Sequence, residues 1–207
     1  PYRLAYRVVR AVLGCYLRLA VEGTAHVPAG AALLVANHPS ALDPVLIAAA
    51  LPRRAVFMGA AEFLTWPVVG WVMRAYGVVP VRRGRVDAAA VREAVRVLRA
   101  GGLLVIFPEG RVAPSGGALR PGAGLLAAAA HVPVVPVAVV GSSRALPLGR
   151  YLPRPVPVRV CIGPPLPPPP DREAGERTVE EAMAWIRRTA ASRPAEASPA
   201  QPPAGSA

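Results

Sequence analysis

The stretch AALLVANHPSALD, residues 31–43, decides the fold. Its first six residues are apolar, and Asn37 and His38 follow them directly, which predicts a buried strand that ends where the polar residues begin. A second apolar run, residues 103–106, ends in the same way at FPEGR, residues 107–111. Continuous apolar strands of this kind are typical of a parallel sheet that is covered on both faces. The sequence therefore predicts polar clusters at the ends of two buried strands.

The rest of the chain alternates apolar runs with helical patterns. Strands are predicted at residues 31–36, 55–58, 78–81, 103–107, 134–140 and 156–162. Helices are predicted at residues 44–50, 67–76, 87–99 and 125–130, and from Thr178, which has capping-box spacing with Glu181. Asp87 is the expected N-cap of the third of these helices. The alternation predicts an α/β domain with a mostly parallel central sheet flanked by helices.

The ends of the chain differ from this core. Residues 1–21 predict an amphipathic helix whose four arginines lie within an arc of about 80°, a pattern typical of a helix in a membrane interface. The alternative is a helix packed on its own domain. The main domain is expected over residues 22–163. A proline-rich spacer with a short helix is expected over residues 164–188, and a disordered tail over residues 189–207.

Charge and composition restrict the classes of function. The net charge is +12 and every basic side chain is arginine, which favours an anionic surface or substrate such as lipid, a phosphate ester or nucleic acid. The arginines are scattered and no nucleic-acid-reading motif is present, which argues against nucleic acid. Two cysteines without framework spacing indicate a reducing compartment. Three dispersed histidines predict no metal site. Prolines 133 and 136 interrupt the apolar window 123–141, which argues against a membrane-spanning helix.

His38 and Asp43 are the candidates for acid–base chemistry. An imidazole beside a carboxylate can remove a proton from an alcohol. The chain contains no Gly-x-Ser-x-Gly sequence and, having no lysine, no phosphate-binding P-loop. The simplest interpretation is a general base that works without a covalent intermediate. Asp43 would then hold the tautomer of His38 and stabilise the imidazolium that forms.

Four blocks, in order, resemble the glycerolphosphate and lysophosphatidic acid acyltransferase family. NHPSALD, residues 37–43, matches its N-H-x-S-x-x-D motif, and residues 107–110 match its F-P-E-G block. Residues 77–83 are similar to its G-x-x-F-[IV]-x-R block, and residues 132–137 to its apolar fourth block with a central proline. Three departures lie near the expected phosphate pocket: Pro80 in place of Phe, Arg111 directly after the F-P-E-G glycine, and LRPG in place of F-K-x-G at residues 119–122. They leave the acceptor open.

The resemblance implies an enzyme with residues 22–163 as its catalytic domain. The implied reaction moves a fatty acyl group from acyl-CoA or acyl carrier protein to the free hydroxyl of a lysophospholipid, foremost 1-acylglycerol 3-phosphate, giving phosphatidic acid. Another lysolipid or alcohol acceptor is the alternative within the family, and a non-catalytic module that binds anionic lipid is the alternative outside it. No metal or prosthetic group is expected. The implied location is the cytoplasmic face of a membrane, as a peripheral or monotopic protein.

The resemblance also implies roles for individual residues. His38 is the implied general base and Asp43 its partner. Arg83 is the implied phosphate ligand, in competition with Arg82 and Arg111. Glu109 is implied either to bind glycerol oxygens or to orient an arginine, and Pro136 to shape an acyl groove. The implied substrate-binding set is Asn37, Ser40, Arg82, Arg83, Glu109, Gly110 and Arg111.

Overall fold

The computed structural model describes residues 14–65, 70, 73, 77–82, 87–120 and 122–193. The strands are β1 (Ala20–Glu22), β2 (Ala32–Ala36), β3 (Ala55–Ala60), β4 (Val79–Val81), β5 (Leu103–Ile106), β6 (Val134–Val140) and β7 (Arg159–Ile162). The helices are α1 (Asp43–Ala50), α2 (Ala88–Arg99), α3 (Ala123–Ala130), α4 (Ser142–Ala145) and α5 (Arg172–Ser192). Short 3₁₀ turns lie at Thr24–His26 and Ala61–Thr65.

The strands form one sheet in the order β1-β7-β6-β2-β5-β3-β4. Strand β2 runs parallel to both of its neighbours, β5 and β6, and β3 runs parallel to β5 and β4. Strand β7 is antiparallel to β6, and β1 pairs in parallel with β7. The mostly parallel sheet predicted from the sequence is therefore confirmed, with an antiparallel pair added at one edge.

Apolar layers cover both faces of the central strands. Leu34 and Ala36 of β2 belong to the cluster that contains α1, whereas Leu33 and Val35 belong to the cluster that contains side chains of α2, α3 and α5. Every residue of β2 is consequently buried. This two-sided burial explains why the strand has a continuous apolar sequence rather than an alternating one.

Helix α2 forms as predicted. The Asp87 side chain accepts hydrogen bonds from the backbone N–H groups of Ala89 and Ala90, as an N-cap does. Ala90, Ala94 and Leu98 are its buried residues, and their spacing of four places them on one side of the helix. The arginines of α2 are left on its solvated side. The apolar window 123–141 divides into α3 and β6, as its two prolines predicted. Among the helices that the structure describes, none has the length and apolar character needed to cross a bilayer.

The predicted N-terminal helix ends earlier than expected. Residues 1–13 lie outside the described part of the chain, and residues 14–17 are helical. Arg18 then has a φ of 45°, which breaks the helix, and Ala20–Glu22 pairs with β7 instead of continuing as helix. The predicted helix at residues 67–76 lies outside the described residues except for Gly70 and Met73, both of which are helical.

The prediction of a short C-terminal helix from Thr178 is wrong. Helix α5 begins at Arg172 and runs for 21 residues to Ser192, past the boundary expected at residue 189. Asp171 is its N-cap and accepts a hydrogen bond from Ala174 N at 2.8 Å, whereas the Thr178 hydroxyl bonds to the carbonyl of Ala174 inside the helix. A buried apolar stripe, containing Val179, Ala182, Met183 and Ile186, fixes the helix on the sheet. Residues 194–207 lie outside the described part.

The expected spacer before α5 is attached to the sheet. Leu166 exchanges two backbone hydrogen bonds with Val134 of β6, so residues 164–170 do not form a free linker. Helix α5 then approaches α3 at Gly124 and Gly175. A Cβ on either glycine would overlap the backbone of the other helix, so only residues without a side chain permit this close approach. The contact fixes α5 beside the strands whose ends carry the candidate site.

Candidate active site

The two predicted polar clusters meet at the carboxyl edge of the sheet. Strands β2 and β5 are parallel neighbours, with Val35 opposite Ile106, so the residues that follow them lie side by side. The backbone N–H of His38 donates a hydrogen bond to Glu109 Oε2 at 2.8 Å. The carbonyl of His38 accepts one from Ala113 N at 2.7 Å. The segment after β5 therefore holds the His38 backbone through both of its polar groups.

The His38 and Asp43 side chains form a hydrogen-bonded pair. Nδ1 of His38 lies 2.8 Å from Oδ2 of Asp43, and the backbone N–H of Ser40 donates to the same oxygen at 2.7 Å. The turn from Pro39 to Leu42 leads directly into α1, whose first residue is Asp43, and this brings two residues five positions apart into contact. The imidazole stacks on Phe107, with ring centroids 4.1 Å apart.

The pair leaves one reactive ring nitrogen. An ionised carboxylate only accepts hydrogen bonds, so Nδ1 carries the proton and Nε2 has the free lone pair. The His38 side chain is partly exposed, whereas Asp43 is fully buried. This arrangement can accept a proton at Nε2 while the carboxylate stabilises the resulting imidazolium.

Burial raises the pKa of Asp43 above its usual value. The hydrogen bond and charge of His38, the Ser142 hydroxyl and the Ser40 backbone N–H oppose that increase, in this order. Asp43 Oδ1 and Ser142 Oγ are both buried, and neither has a hydrogen-bond partner that meets strict geometry among the described residues. The Ser142 hydroxyl lies close enough to Asp43 to lower the pKa of that carboxyl group, so these two buried atoms are neighbours. A small rotation of the serine side chain would let its hydroxyl donate to Oδ1.

The sequence analysis missed Ser142. It opens α4 immediately after β6, and β6 is the parallel neighbour of β2 on the side opposite β5. Its signal was present in the sequence, because Gly141 and Ser142 follow an apolar strand just as Asn37 and His38 do. Three strand ends therefore contribute to this edge rather than the two that were predicted.

Glu109 supports the turn formed by residues 37–43, which we call the catalytic turn. It is buried, and desolvation raises the pKa of its carboxyl group, opposed by the backbone N–H groups of His38 and Gly117. The negative charge of Asp43 adds to the increase. Its position beside the His38 backbone supports a positioning role, and substrate contact stays a prediction for this residue.

Asn37 and Ser40 reach the site, but their polar atoms hold the surrounding backbone. The Asn37 amide donates to Val139 O at 2.9 Å and accepts from Val139 N at 2.8 Å, which extends the β2–β6 pairing by one residue. The Ser40 hydroxyl donates to Leu146 O at 3.0 Å and accepts from Leu42 N. Both side chains therefore align the strand ends around His38.

The predicted arginines lie at different distances from the dyad. Arg82 follows β4, three strands from β2, which corresponds to about 14 Å across the sheet. Its backbone N–H donates to Asp87 Oδ2. Arg83 lies outside the described residues. Arg111 is exposed and follows β5, the strand next to β2.

Arg120 is a further cation that the sequence analysis did not assign. Its backbone N–H donates to Pro108 O at 2.8 Å, which returns the chain to the end of β5. Its Cδ and Nε lie where a side chain on Gly110 would be, 2.6 Å from a Cβ built there. Gly110, whose φ is 64°, therefore leaves room for the Arg120 side chain beside the F-P-E-G turn.

A cleft of about 610 Å³ opens beside the catalytic turn. Asn37, Pro39 and Glu109 line one side, residues 113–118 a second, and Met183, Ile186 and Arg187 of α5 a third. Among the residues that the structure describes, no cluster of His, Cys, Asp or Glu suits a metal ion.

Pro136 is not brought to His38. It is buried in β6, and its Cγ would lie 2.8 Å from a Cβ built on Gly163, close to the Trp185 indole of α5. Its predicted part in an acyl groove stays a prediction.

Comparison with known proteins identifies relatives of this arrangement. The family model described as Acyltransferase matches residues 18–140. The chloroplastic 1-acyl-sn-glycerol-3-phosphate acyltransferase of Arabidopsis thaliana is 29% identical over 140 residues, which cover 65% of this chain and 39% of that protein. A lyso-ornithine lipid O-acyltransferase of Pseudomonas aeruginosa is 38% identical over 111 residues, which cover 52% of this chain and 42% of that protein. This chain thus spans less than half the length of these two curated relatives.

A solved structure has the same fold. The crystal structure of PlsC, the 1-acyl-sn-glycerophosphate acyltransferase of Thermotoga maritima, superposes with a TM-score of 0.71 at 25% sequence identity. The superposition covers 93% of this chain and 82% of that one. The similarity therefore extends across the sheet and its flanking helices.

Proposed function

Because this chain belongs to the acyltransferase family, we propose that it moves a fatty acyl group from a thioester to the free hydroxyl of a lysophospholipid. The observation that carries the proposal is the His38–Asp43 pair at the carboxyl edge of the sheet, with Nδ1 held by the carboxylate. An alcohol is a poor nucleophile until it loses its proton, and a base at this position supplies that step.

In the proposed reaction, His38 Nε2 accepts the proton of the acceptor hydroxyl as its oxygen attacks the thioester carbonyl. The tetrahedral intermediate collapses by breaking the C–S bond, and the leaving thiolate takes the proton from the imidazolium. The products are an ester and a free thiol, and the base is regenerated. Asp43 stabilises the imidazolium between the two transfers, so no covalent acyl-enzyme is needed.

The acceptor that we favour is 1-acylglycerol 3-phosphate. The relatives from Arabidopsis thaliana and Thermotoga maritima carry this acceptor in their names. Arg111 and Arg120, both next to the F-P-E-G turn, supply the positive charge that a phosphate monoester requires, and Arg83 is a further candidate ligand. Guanidinium groups bind phosphate oxygens through paired N–H donors.

A lyso-ornithine lipid is the second candidate acceptor. The relative from Pseudomonas aeruginosa with that name has higher identity to this chain, 38% over 111 residues, than the chloroplastic relative has. An ornithine lipid carries no phosphate, so the two acceptors differ in their need for the arginines near Gly110. Acyl-CoA and acyl carrier protein are both proposed as donors.

We place this reaction at the cytoplasmic face of a membrane, with the protein attached peripherally. The substrates are membrane lipids, and a net charge of +12 favours an anionic lipid surface. The amphipathic sequence pattern of residues 1–17 supports the same location.

The test removes the base. His38→Ala is expected to abolish transfer when acyl-CoAs of mixed chain length and a mixture of lysolipids are supplied and the products are identified by mass spectrometry. His131→Asn is the matched control, because His131 is an exposed left-handed residue that caps the far end of α3 and Asn tolerates that backbone. Turnover by folded His38→Ala at the rate of the control would overturn the proposal. The lysolipid that is consumed decides between the two acceptors.

A further inference from the structure

The loop that follows α4 presents large apolar side chains to solvent. Leu148, Tyr151 and Leu152 are 65%, 94% and 81% exposed, and all three lie within five residues. Scattered single apolar residues are normal on a protein surface, whereas three together mark a surface that contacts something. We call residues 146–154 the anchor loop.

The charge around the anchor loop has a single sign. Arg150 and Arg154 lie within it and are exposed, and Arg144 precedes it. The sequence from residue 110 to residue 170 contains six arginines and not one aspartate or glutamate. Leucine, tyrosine and arginine are the residues that respectively enter the acyl boundary, lie at headgroup level and bind lipid phosphates. The loop therefore has the chemistry of an interfacial anchor for anionic lipid.

Backbone contacts hold the anchor loop in place. Arg154 N donates to Ala145 O at 2.7 Å and closes the base of the loop, and Arg150 N donates to Pro147 O at 3.1 Å within it. The apolar tip is thus presented by a closed loop, so little backbone conformational entropy is lost when its side chains enter a lipid surface.

The anchor loop is also attached to the catalytic turn and to the N-terminal segment. Its first carbonyl, that of Leu146, accepts the hydrogen bond of the Ser40 hydroxyl, three residues from Asp43. Further along, the carbonyl of Pro153 accepts a hydrogen bond from the Tyr16 hydroxyl at 2.9 Å. Tyr16 lies in the helical turn at residues 14–17, which continues the arginine-rich amphipathic segment. One lipid surface can thus meet Tyr16, the anchor loop and the edge of the sheet that carries His38.

We propose that the anchor loop inserts Leu148, Tyr151 and Leu152 into the headgroup region of an anionic bilayer. Arg150 and Arg154 bind lipid phosphates, and the contact with Ser40 keeps the catalytic turn at the lipid surface. The partner is lipid rather than protein, because the three apolar side chains form a small protruding tip among arginines with no acidic side chain nearby in sequence. This docking does not depend on the acyl-transfer chemistry and is measured without it.

The first experiment places a reporter in the loop. In the full chain, Leu152→Cys is labelled with an environment-sensitive fluorophore in a Cys15→Ser background, since Cys161 is buried and does not compete for the label. Vesicles of phosphatidylcholine with phosphatidylglycerol are expected to shift its emission to the blue, and brominated acyl chains to quench it. Vesicles of phosphatidylcholine alone are expected to do neither. The same label at Ala100→Cys, an exposed site at the opposite edge of the sheet, is expected to stay in water.

Flotation with the same vesicles tests the side chains. R150Q/R154Q is expected to weaken binding about 30-fold at low salt, because each arginine at a lipid surface contributes about fivefold. R96Q/R99Q removes the same charge from α2, where Arg99 contacts the far end of α3, and is expected to change binding much less. L148S/Y151S/L152S is expected to reduce binding without altering the unfolding midpoint, because these side chains are exposed in the folded chain.

Three results would overturn the proposal. The first is a label at residue 152 whose emission still reports water when the protein is bound to vesicles, because the anchor loop would then not enter the bilayer. Another is equal weakening by R96Q/R99Q and R150Q/R154Q, which would attribute binding to net charge. The third is an equal response of the label to neutral vesicles, which would remove the role of the arginines.

Discussion

Replacing Asp43 by Asn is expected to separate the chemistry of the dyad from the stability of the fold. Asn has the shape of Asp and retains an oxygen that can accept from His38 Nδ1 and Ser40 N, which share one carboxylate oxygen now. It cannot stabilise an imidazolium by charge. We expect kcat to fall about 10²- to 10⁴-fold, the range that a positioned general base contributes.

The stability of the same variant is expected to stay close to that of the native chain. The substitution weakens two charge-assisted hydrogen bonds, but it also removes a buried charge whose second oxygen has no partner that meets strict geometry among the described residues. Each of these effects contributes about 1–3 kcal/mol, with opposite signs. We expect the free energy of unfolding at neutral pH to change by about 1 kcal/mol or less.

The pH dependence gives the sign of the electrostatic contribution. Burial raises the pKa of Asp43 in the folded chain above the unfolded value of 3.8. The folded state therefore binds this proton more tightly than the unfolded state, and the stability from that proton is present below pH 3.8 and is lost as the pH rises through the folded pKa. Asp43→Asn lacks this loss. Relative to the native chain, the variant is expected to gain stability as the pH rises.

Urea unfolding across pH 3.5 to 8, with thiol release as the activity assay, measures both parts. Asp87→Asn is the control, for which relative stability is expected to change with pH in the opposite direction. Hydrogen bonds from backbone N–H groups, that of Arg82 first, lower the pKa of this exposed cap. The stability of the native chain relative to Asp87→Asn therefore increases as the pH rises through the Asp87 pKa. Full activity in Asp43→Asn would refute the reasoning. So would a native chain whose stability, relative to Asp43→Asn, increases as the pH rises.

Two further substitutions test the groups around the dyad. Glu109→Ala leaves the His38 backbone N–H without its acceptor and is expected to lower both kcat and the free energy of unfolding, the latter by about 1–3 kcal/mol. Glu109→Gln keeps an acceptor and is expected to recover most of both quantities. Equal losses in the two variants would contradict a positioning role. Ser142→Ala is expected to lower kcat about 2- to 10-fold, the equivalent of one neutral hydrogen bond. Because the hydroxyl lowers the pKa of Asp43, its loss is also expected to move the acid limb of the pH–rate profile to higher pH. An acid limb at the native pH would contradict the contact.

The dyad and the parallel sheet could be predicted because both depend on local sequence. His38 and Asp43 are five residues apart in one turn, so no knowledge of strand order is needed to bring them together. The continuous apolar sequences of β2, β5 and β6 reflect burial on two faces and identify central strands directly. The Asp87 cap was equally visible, because its partners are two and three residues away.

The contributions of Ser142 and Arg120 depend on contacts that local sequence does not specify. Ser142 reaches Asp43 only because β6 pairs with β2 across about 100 residues of chain, and that pairing is a property of the whole sheet. Arg120 reaches the F-P-E-G turn because the loop of residues 109–119 returns the chain to Pro108. The start of α5 was misplaced for a related reason. Thr178 and Asp171 both offer plausible caps, and the apolar stripe packed on the sheet selects the earlier one.

Most polar groups of the catalytic turn are hydrogen-bonded to neighbouring parts of the chain. The His38 N–H and carbonyl are bound to Glu109 and Ala113, and both polar atoms of the Asn37 amide are bound to Val139. The Ser40 hydroxyl is bound to the anchor loop. Within this turn, Nε2 of His38 is therefore the atom positioned to act on a substrate. In the proposed reaction the turn supplies the base, but few of its polar groups are free to distinguish one lysolipid from another.

We therefore propose that acceptor selectivity comes from the segment after β5. Arg111 and Arg120 flank Gly110 there, and the sequence departs from the family that it resembles directly after F-P-E-G and at the F-K-x-G block. A phosphate-bearing acceptor needs those guanidinium groups, whereas an ornithine-type acceptor does not. Because the segment holds His38 through Phe107, Glu109 and the backbone of Ala113, its exposed arginines can vary without disturbing the base. This division would let the same base serve an acceptor with a phosphate or one without it.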